Sequence, residues 1–333
     1  MLSLYPAIEP FDHYYLNVTN DTAAGEEPAV AHQLYIEQCG NPLGIPVVFL
    51  HGGPGSGCRP AHRCYFDPAL YHIILFDQRG CGRSRPHGSL AQNTSAHLIE
   101  DMELIRQHIG IEKWLLFGGS WGATLALYYA YHFAEHVSGL ILRGVFLARK
   151  QDIDWVYSDN GAAKIFPDAW SHLVADLPCL QQAQPLSEIY QQLTSTDAKL
   201  SSDIFTKLQY WEASLIYWQE LVSLEEVNLE PVTGKPSLIK AADKTPAIIQ
   251  LYYSMNKCFI ATPLLECVDT IRQIPTTIIH GRHDMVCPLE QAWQLKQHWP
   301  EAQLSIIEMA GHLANEPKII DALINATNDF AMR

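Results

Sequence analysis

The stretch Phe117-Gly118-Gly119-Ser120-Trp121-Gly122 decides the fold of this chain. It fits the pattern G-x-S-x-G, in which a serine sits on a sharp turn between a strand and a helix. The preceding run, 113–117, is short and apolar, and the following segment, 123–131, is typical of a helix. Glycines suit a turn whose flanking segments pass too close for a Cβ atom. The stretch therefore predicts a nucleophilic Ser120 above a helix N-terminus, with an ordinary serine in a glycine turn as the alternative.

The composition limits the class of protein. The chain has 333 residues, 48% hydrophobic and 17% charged, which is enough for one large core with an insertion. No apolar stretch is long enough to cross a membrane as a helix, and the first residues lack the features of a signal peptide. We therefore expect a cytoplasmic protein that does not associate with membranes.

Charge and cysteine usage exclude further classes. The formal net charge of -14 argues against nucleic acid as a partner, because phosphate binding needs a basic surface. The eight cysteines are scattered, and no pair has the C-x2-C spacing of a zinc site. We expect free thiols and neither a metal nor a cofactor.

Hydrophobic patterning predicts strands that alternate with helices. Two loosely alternating runs, Asp12–Val18 and His32–Gln38, flank a polar loop at Asn20–Pro28 and predict antiparallel strands. Apolar residues at helical spacing predict a helix over Thr94–His108. Continuous apolar runs predict six buried strands, at Pro46–Leu50, His72–Phe76, Lys113–Phe117, Ser138–Leu142, Pro275–His280 and Gln303–Ile307. This alternation predicts an α/β fold with a mostly parallel sheet covered on both faces.

The pattern changes between about Arg149 and Cys267. Aromatic and amide residues become frequent there, strand patterns are absent and helical periods appear. We therefore predict a core domain made of residues 1–148 and 268–333, with a helical cap domain inserted at 149–267.

Three side chains that follow predicted strands form a candidate catalytic triad. Ser120, Asp284 and His312 each stand at such a strand end, and the carboxyl ends of parallel strands meet at one edge of a sheet. The order serine, aspartate, histidine is that of the α/β-hydrolases. A serine hydroxyl needs a base to take its proton, which histidine does near neutral pH, and an aspartate orients the imidazole.

Two other histidines compete with His312 for the role of base. His283 is adjacent to Asp284 and cannot easily receive its hydrogen bond as well. His280 ends a strand, and we expect it to pack inside. Only His312 has a glycine-preceded position at a strand end after the acid.

The segment His51–Gly55 is rich in glycine and follows another predicted strand. The Gly53 N–H is well placed for one half of an oxyanion hole, and the Trp121 N–H for the other. A tight loop without chemistry is the alternative. A second glycine-containing turn, Asp77–Ser84, predicts a structural ion pair of Asp77 with either Arg79 or Arg83.

In these blocks the chain resembles the prolyl aminopeptidases, or proline iminopeptidases, of the α/β-hydrolase fold. The resemblance extends from about Tyr5 to Pro317 and is carried by His51–Gly55, Asp77–Ser84, Gly118–Gly122, Arg143–Phe146, Phe166–Asp168, Trp211–Glu212, Gly281–Pro288 and Gly311–His312. It implies a serine peptidase that removes an N-terminal proline from small peptides through an acyl-enzyme intermediate.

The resemblance also implies a substrate-binding subsite. Glu212, beside Trp211, would bind the free amine of the substrate, and Phe146 would line the proline pocket. A carboxylate beside aromatic rings suits a secondary ammonium and a pyrrolidine ring. The residues agree in part, because Glu212 lies at the edge of an apolar helical stripe that consists of Leu208, Trp211, Leu215 and Trp218.

Two positions depart from the family pattern. Gln250 stands where the family has a second amine-binding glutamate, and Trp155-Val156-Tyr157 stands where it often has Trp-Tyr-Tyr. An amide accepts a hydrogen bond but carries no charge, so the departures bear on proline preference more than on hydrolysis. A carboxylesterase or amidase of the same fold, with Glu212 structural, is the alternative enzyme. A catalytically silent hydrolase fold used for binding is disfavoured by the intact triad.

Overall fold

One sheet of eight strands forms the centre of the molecule. The computed structural model describes residues 1–18, 30–178, 182–217 and 243–333. The strand order is β1-β2-β4-β3-β5-β6-β7-β8. The strands are β1 (Asp12–Val18), β2 (His32–Gly40), β3 (Ile45–Leu50), β4 (Tyr71–Phe76), β5 (Trp114–Gly119), β6 (Val137–Arg143), β7 (Thr276–Gly281) and β8 (Gln303–Ile307). Strand β2 is antiparallel to β1 and β4, and the other neighbours are parallel.

The predicted α/β fold is thus confirmed, and each predicted strand is present. The polar loop at Asn20–Pro28, predicted between β1 and β2, lies outside the described residues.

Helices cover the sheet and also occur in the described part of the segment between β6 and β7. The α-helices in the described part are α1 (Ser95–Ile109), α2 (Trp121–His132), α3 (Lys150–Tyr157), α4 (Pro167–Val174), α5 (Leu186–Leu193), α6 (Ala198–Ile216), α7 (Thr245–Met255), α8 (Val268–Ile271), α9 (Leu289–His298) and α10 (Pro317–Ala331). None of these described helices combines the length and apolarity that a membrane crossing requires.

Both faces of the sheet are buried, which explains the continuous apolar runs of its strands. In β5, Trp114 and Leu116 join the cluster that contains residues of α1, α2 and α9. The alternate residues, Leu115 and Phe117, join the cluster on the opposite face, which contains residues of α10. Successive side chains of a strand point to opposite faces, so a doubly covered strand has no polar side.

A third apolar cluster is formed by α3–α7. Among the described residues between β6 and β7, only helices and loops occur, as the sequence pattern indicates. Helix α7 joins two clusters, because Ile249 and Tyr253 pack with the sheet-side cluster and Leu251 packs with the helical one. The division into a core of 1–148 and 268–333 and a cap of 149–267 remains a prediction.

The described residues of the apolar stripe predicted beside Glu212 lie on one helix, α6. Leu208, Trp211 and Leu215 are buried in the helical cluster, and Trp218 lies outside the described residues.

Candidate active site

Ser120 occupies a sharp turn between β5 and α2. Its backbone has φ 56° and ψ -125°, and residues other than glycine rarely adopt a positive φ. Its N–H donates to the Arg143 carbonyl oxygen at 2.9 Å, and its own carbonyl oxygen accepts from the Ala123 N–H at 2.9 Å. The conformation is therefore held from both sides, as strain at a functional turn requires.

The glycines around Ser120 are required by close backbone contacts. A Cβ atom on Gly118 would overlap the carbonyl oxygen of Gly122, and one on Gly122 would overlap that of Leu50. The G-x-S-x-G pattern therefore follows from the packing of α2 against β3 and β5.

Asp284 and His312 meet in the loops after β7 and β8. The His312 Nδ1–H donates to Asp284 Oδ2 at 2.7 Å, and Asp284 Oδ1 accepts the N–H groups of Val286 at 3.0 Å and Cys287 at 2.8 Å. The Asp284 side chain is 0% exposed and that of His312 is 11% exposed. This tautomer of His312 leaves Nε2 as the atom that accepts a proton.

The electrostatic environment keeps Asp284 ionised. Burial by itself raises the pKa of this carboxyl group, but the charge and hydrogen bond of His312, the charge of His280 and the Cys287 N–H outweigh it. The net result is a pKa below the ordinary value of 3.8. A carboxylate in this state can stabilise an imidazolium.

His280 is buried against the same carboxylate. Its Nδ1 accepts the Val145 N–H at 3.2 Å and its Nε2–H donates to the Cys287 carbonyl oxygen at 2.7 Å. The Nε2 atom is also 3.6 Å from Asp284 Oδ2. The sequence prediction that His280 packs inside is therefore confirmed, and the contact with the acid is an addition to it.

Ser120 lies beside the loop after β7, which contains Asp284 and Cys287, but it makes no hydrogen bond to His312 in the described chain. Its hydroxyl is next to the Cys287 thiol, whose pKa burial raises and the hydroxyl acts to lower. The backbone N–H of Cys287 is bound by Asp284. The three predicted residues thus share one edge of the sheet, and the contact between base and nucleophile is of the kind that often tightens only with substrate.

The predicted oxyanion loop passes directly over the nucleophile. A Cβ atom on Gly52 would be 3.6 Å from the Ser120 Cβ atom, and Gly53 has φ 109°. The backbone N–H groups of Gly53 and Trp121 donate to no other group of the described chain. Both donors therefore remain available to an oxyanion, although their role stays a prediction.

A hydrogen-bond network supports this loop, and sequence reasoning missed it. The Trp121 Nε1–H donates to Gln78 Oε1 at 2.9 Å, and Gln78 Nε2 donates to the His51 carbonyl oxygen at 3.1 Å. The Gln78 N–H donates to His51 Nε2 at 3.0 Å, so His51 Nδ1–H donates to the Gly52 carbonyl oxygen at 3.0 Å. Burial lowers the pKa of His51, which favours the neutral imidazole.

The turn after β4 contains the ion pair that the sequence left open between two arginines. Arg83 Nε is 2.8 Å from Asp77 Oδ2, and Asp77 is fully buried. Arg79 instead pairs with Asp101 at 2.7 Å. The structural role predicted for Asp77 is therefore confirmed, with Arg83 as its partner.

A second polar cluster joins Glu212 of α6 to Gln250 of α7 and Tyr157 of α3, of which Tyr157 is buried and the other two are half-buried. Gln250 Nε2 donates to Glu212 Oε1 at 2.8 Å and to the Tyr157 hydroxyl oxygen at 2.8 Å. Burial raises the pKa of Glu212 to about 7, although the hydrogen bonds from Gln250 and Tyr157 act to lower it. No basic side chain pairs with Glu212 in the described chain, so this half-buried carboxylate lacks a cation.

The two predicted aromatic residues lie beside this cluster. Trp211 is fully buried, its Nε1–H donates to the Val156 carbonyl oxygen at 3.1 Å, and its ring meets Trp170 edge-on at 5.2 Å. Phe146 is half-buried and packs against both the sheet-side and the helical clusters. Trp211 therefore supports Glu212 from within the helical cluster, and a substrate contact for either ring stays a prediction.

The helices of the same cluster are docked on the loops of the predicted triad and on the predicted oxyanion loop. The Trp155 Nε1–H of α3 donates to the carbonyl oxygen of Met285, next to Asp284, at 2.8 Å. At the start of α7, Pro246 packs so tightly on Gly55 that a Cβ atom there would be 2.7 Å from its carbonyl oxygen. The cluster of Glu212, Gln250 and Tyr157, called the Glu212 cluster below, is thereby attached to the edge of the sheet where Ser120 lies.

The fold and this arrangement of serine, aspartate and histidine define a hydrolase of the α/β-hydrolase fold. A family model of the alpha/beta hydrolase fold matches residues 45–318. The chain is 43% identical to the proline iminopeptidase of Xanthomonas citri over 99% of its own length and 100% of that protein. It is also 43% identical to the proline iminopeptidase of Arabidopsis thaliana, covering 97% of this chain and 81% of that one.

The chain therefore belongs to the proline iminopeptidase family. Its fold is also similar to the solved structure of an alpha/beta fold family hydrolase from Bacillus anthracis str. Sterne, with a TM-score of 0.60 at 20% identity over 95% of this chain and 99% of that one. In the part of the chain that the structure describes, no group of three or more His, Cys, Asp or Glu side chains is arranged to hold a metal ion.

Proposed function

We propose that this chain is a serine aminopeptidase that releases an N-terminal proline from small peptides, through an acyl-enzyme intermediate. Membership of the proline iminopeptidase family supports the activity. The observation that carries the proposal is the half-buried carboxylate of Glu212, which has no cation and is held by Gln250 on helices docked over the Asp284–His312 pair. Such a group needs a positive partner, and a free N-terminal amine provides one.

The chemical step follows from the roles proposed for the triad. His312 Nε2 takes the proton of the Ser120 hydroxyl as its oxygen attacks the proline carbonyl carbon, and Asp284 stabilises the resulting imidazolium. The N–H groups of Gly53 and Trp121 bind the oxyanion. The imidazolium then gives its proton to the leaving amine, the C–N bond breaks, and a water molecule hydrolyses the acyl-enzyme by the same steps in reverse.

Substrate selection is assigned to the Glu212 cluster. Glu212 binds the secondary ammonium of the proline, and Phe146 packs against its ring. Gln250 adds a hydrogen bond but no charge, so a single carboxylate anchors the amine. A peptide whose N-terminus is acylated has no positive charge and loses this contact.

We place this activity in the cytoplasm, without a metal or cofactor. The mechanism uses protein groups and water alone. The described cysteines are unpaired, and six of these seven are buried, which suits a reducing compartment.

A prolyl arylamide and its N-acylated analogue test the proposal directly. We expect the free amine to be cleaved about 100-fold faster, because a hydrogen bond to a charged group is worth about 1.5–3 kcal/mol. Equal rates on the two substrates would contradict the amine anchor. Glu212→Gln is the matched variant and should remove the difference. A preference for short acyl esters over prolyl amides would instead select the carboxylesterase or amidase, which the uncharged Gln250 keeps as the second candidate.

A further inference from the structure

Arg143 is the last residue of β6, at the edge of the sheet where the candidate site lies. In the sheet register it pairs with Gly119 of β5 on one side and with Ile279 of β7 on the other. These two strands lead directly to Ser120 and to Asp284. The strand register therefore puts a long, cationic side chain between the nucleophile and the acid.

Arg143 contacts the nucleophile's turn in two ways. Its carbonyl oxygen accepts the Ser120 N–H at 2.9 Å. Its guanidinium packs against Gly119, where a Cβ atom would overlap Nη2 and would be 2.8 Å from both Cζ and Nε of the arginine. The glycine before Ser120 is thus the residue that makes room for this side chain.

The same side chain reaches the loop of the base. Arg143 Nη1 donates to the carbonyl oxygen of His312 at 2.5 Å. The following residue, Gly144, continues the contact, since a Cβ atom on it would be 3.2 Å from Asp284 Oδ2 and 3.4 Å from His312 Cε1. Arg143 is thus hydrogen-bonded to Ser120 and His312 of the proposed triad, and Gly144 lies beside Asp284 and His312.

A structural ion pair does not explain this guanidinium. No carboxylate lies within ion-pair distance of Arg143 in the described chain, and its bond goes to a backbone carbonyl. Ser120 and His312 are not hydrogen-bonded to each other there, so their separation is set by the loops that carry them. Arg143 contacts both loops.

We propose that Arg143 is a positioning residue that fixes the spacing between Ser120 and His312. The inference rests on the proposed function, because it assumes that these two residues exchange a proton. A displacement of about 1 Å between reacting groups costs on the order of 100-fold in rate. Loss of the Arg143 bond should therefore lower kcat and leave KM almost unchanged, because the Glu212 cluster is not disturbed.

Three variants test the proposal. Arg143→Met keeps apolar contact with Gly119 but loses the donor, and we expect its kcat for a prolyl arylamide to fall about 100-fold with KM within about twofold of wild type. Arg143→Lys restores a cationic donor and should recover part of the loss. Arg272→Met removes a half-buried arginine whose ion pairs, with Asp269 and Glu301, lie outside the candidate site, and it should behave as wild type.

The rate at which a serine-reactive phosphonate inactivates each variant supplies a readout that does not need proline recognition. It should fall in parallel with kcat in Arg143→Met. Rates are expressed per folded molecule, with the folded fraction measured by circular dichroism. A wild-type rate per folded molecule in Arg143→Met, or a change in KM alone, would overturn the proposal. If the wild-type enzyme reacts with the phosphonate but not with prolyl substrates, the proposed function fails while the phosphonate rates still decide the role of Arg143.

Discussion

At the residue scale, two carboxylates are tuned in opposite directions. His312 and its hydrogen bond keep the pKa of Asp284 below its ordinary value, whereas burial raises that of Glu212 to about 7. Chain order predicted the pairing of Asp284 with His312. The family resemblance put Glu212 and Gln250 in one subsite. Their hydrogen bonds with each other and with Tyr157 were not predicted, because the three residues lie far apart in the chain and only tertiary packing brings them together.

The pH dependence of substrate selection tests the state of Glu212. Since its pKa is about 7, this group is anionic above and neutral below that pH. We expect the ratio of kcat/KM for a prolyl arylamide to that for a simple acetate ester to fall as the pH drops through about 7. Both substrates need the same base, so the ratio removes the effect of His312. Glu212→Gln should give a low ratio that does not change with pH.

The same group affects stability, with a sign that follows from its raised pKa. A folded-state value of about 7 against an ordinary value of 4.5 means that the stabilisation is complete below pH 4.5 and is lost as the pH rises through 7. Between about pH 5 and about pH 8, the unfolding free energy of the wild type should therefore fall by about 2 kcal/mol more than that of Glu212→Gln. Urea denaturation at each pH measures this. The exposed Glu112→Gln should follow wild type, and an equal loss in all three proteins would contradict the prediction.

At the scale of helices and strands, the sequence predicted the sheet well because its strands are buried on both faces. Such strands appear as uninterrupted apolar runs, and β5 is an example, with its alternate residues in two different clusters. The register between strands is not encoded in these runs. The pairing of Gly119 with Arg143 therefore became visible only in the structure, and so did the contact of Arg143 with His312.

The turn between β5 and α2 gives a prediction at this scale. Gly122→Ala introduces a Cβ atom that overlaps the Leu50 carbonyl oxygen, so α2 has to move away from β3. We expect a loss of about 1–3 kcal/mol in unfolding free energy, measured by urea denaturation, together with slower phosphonate labelling of Ser120. Gly110→Ala is the control, because its left-handed φ of 79° is strained but nothing lies within 4 Å. It should be destabilised by about 1–2 kcal/mol without slower labelling.

At the scale of the whole molecule, the candidate site is assembled from two packed regions. The proposed triad and oxyanion loop lie at one edge of the sheet, and the Glu212 cluster belongs to α3, α6 and α7. The change in sequence pattern indicated a helical insertion, and the motifs indicated the chemistry. Hydrogen bonds such as that from Trp155 to Met285 dock the helices of the Glu212 cluster on the edge of the sheet. They depend on individual side-chain directions, which no periodic sequence pattern contains.

The docking bond itself provides the last prediction. Trp155→Phe keeps an aromatic ring but removes the indole N–H that donates to Met285, and Tyr157 lies two residues further along the same helix. Because a neutral hydrogen bond contributes about 1 kcal/mol, we expect KM for a prolyl arylamide to rise about fivefold as the Glu212 cluster loses its fixed position over the triad. Hydrolysis of an acetate ester, which needs only the triad, should be unchanged. Trp293→Phe, on an indole that is 51% exposed, should alter neither substrate. An equal loss on both substrates in Trp155→Phe would instead mean that α3 supports the Asp284 loop and has no separate effect on amine binding.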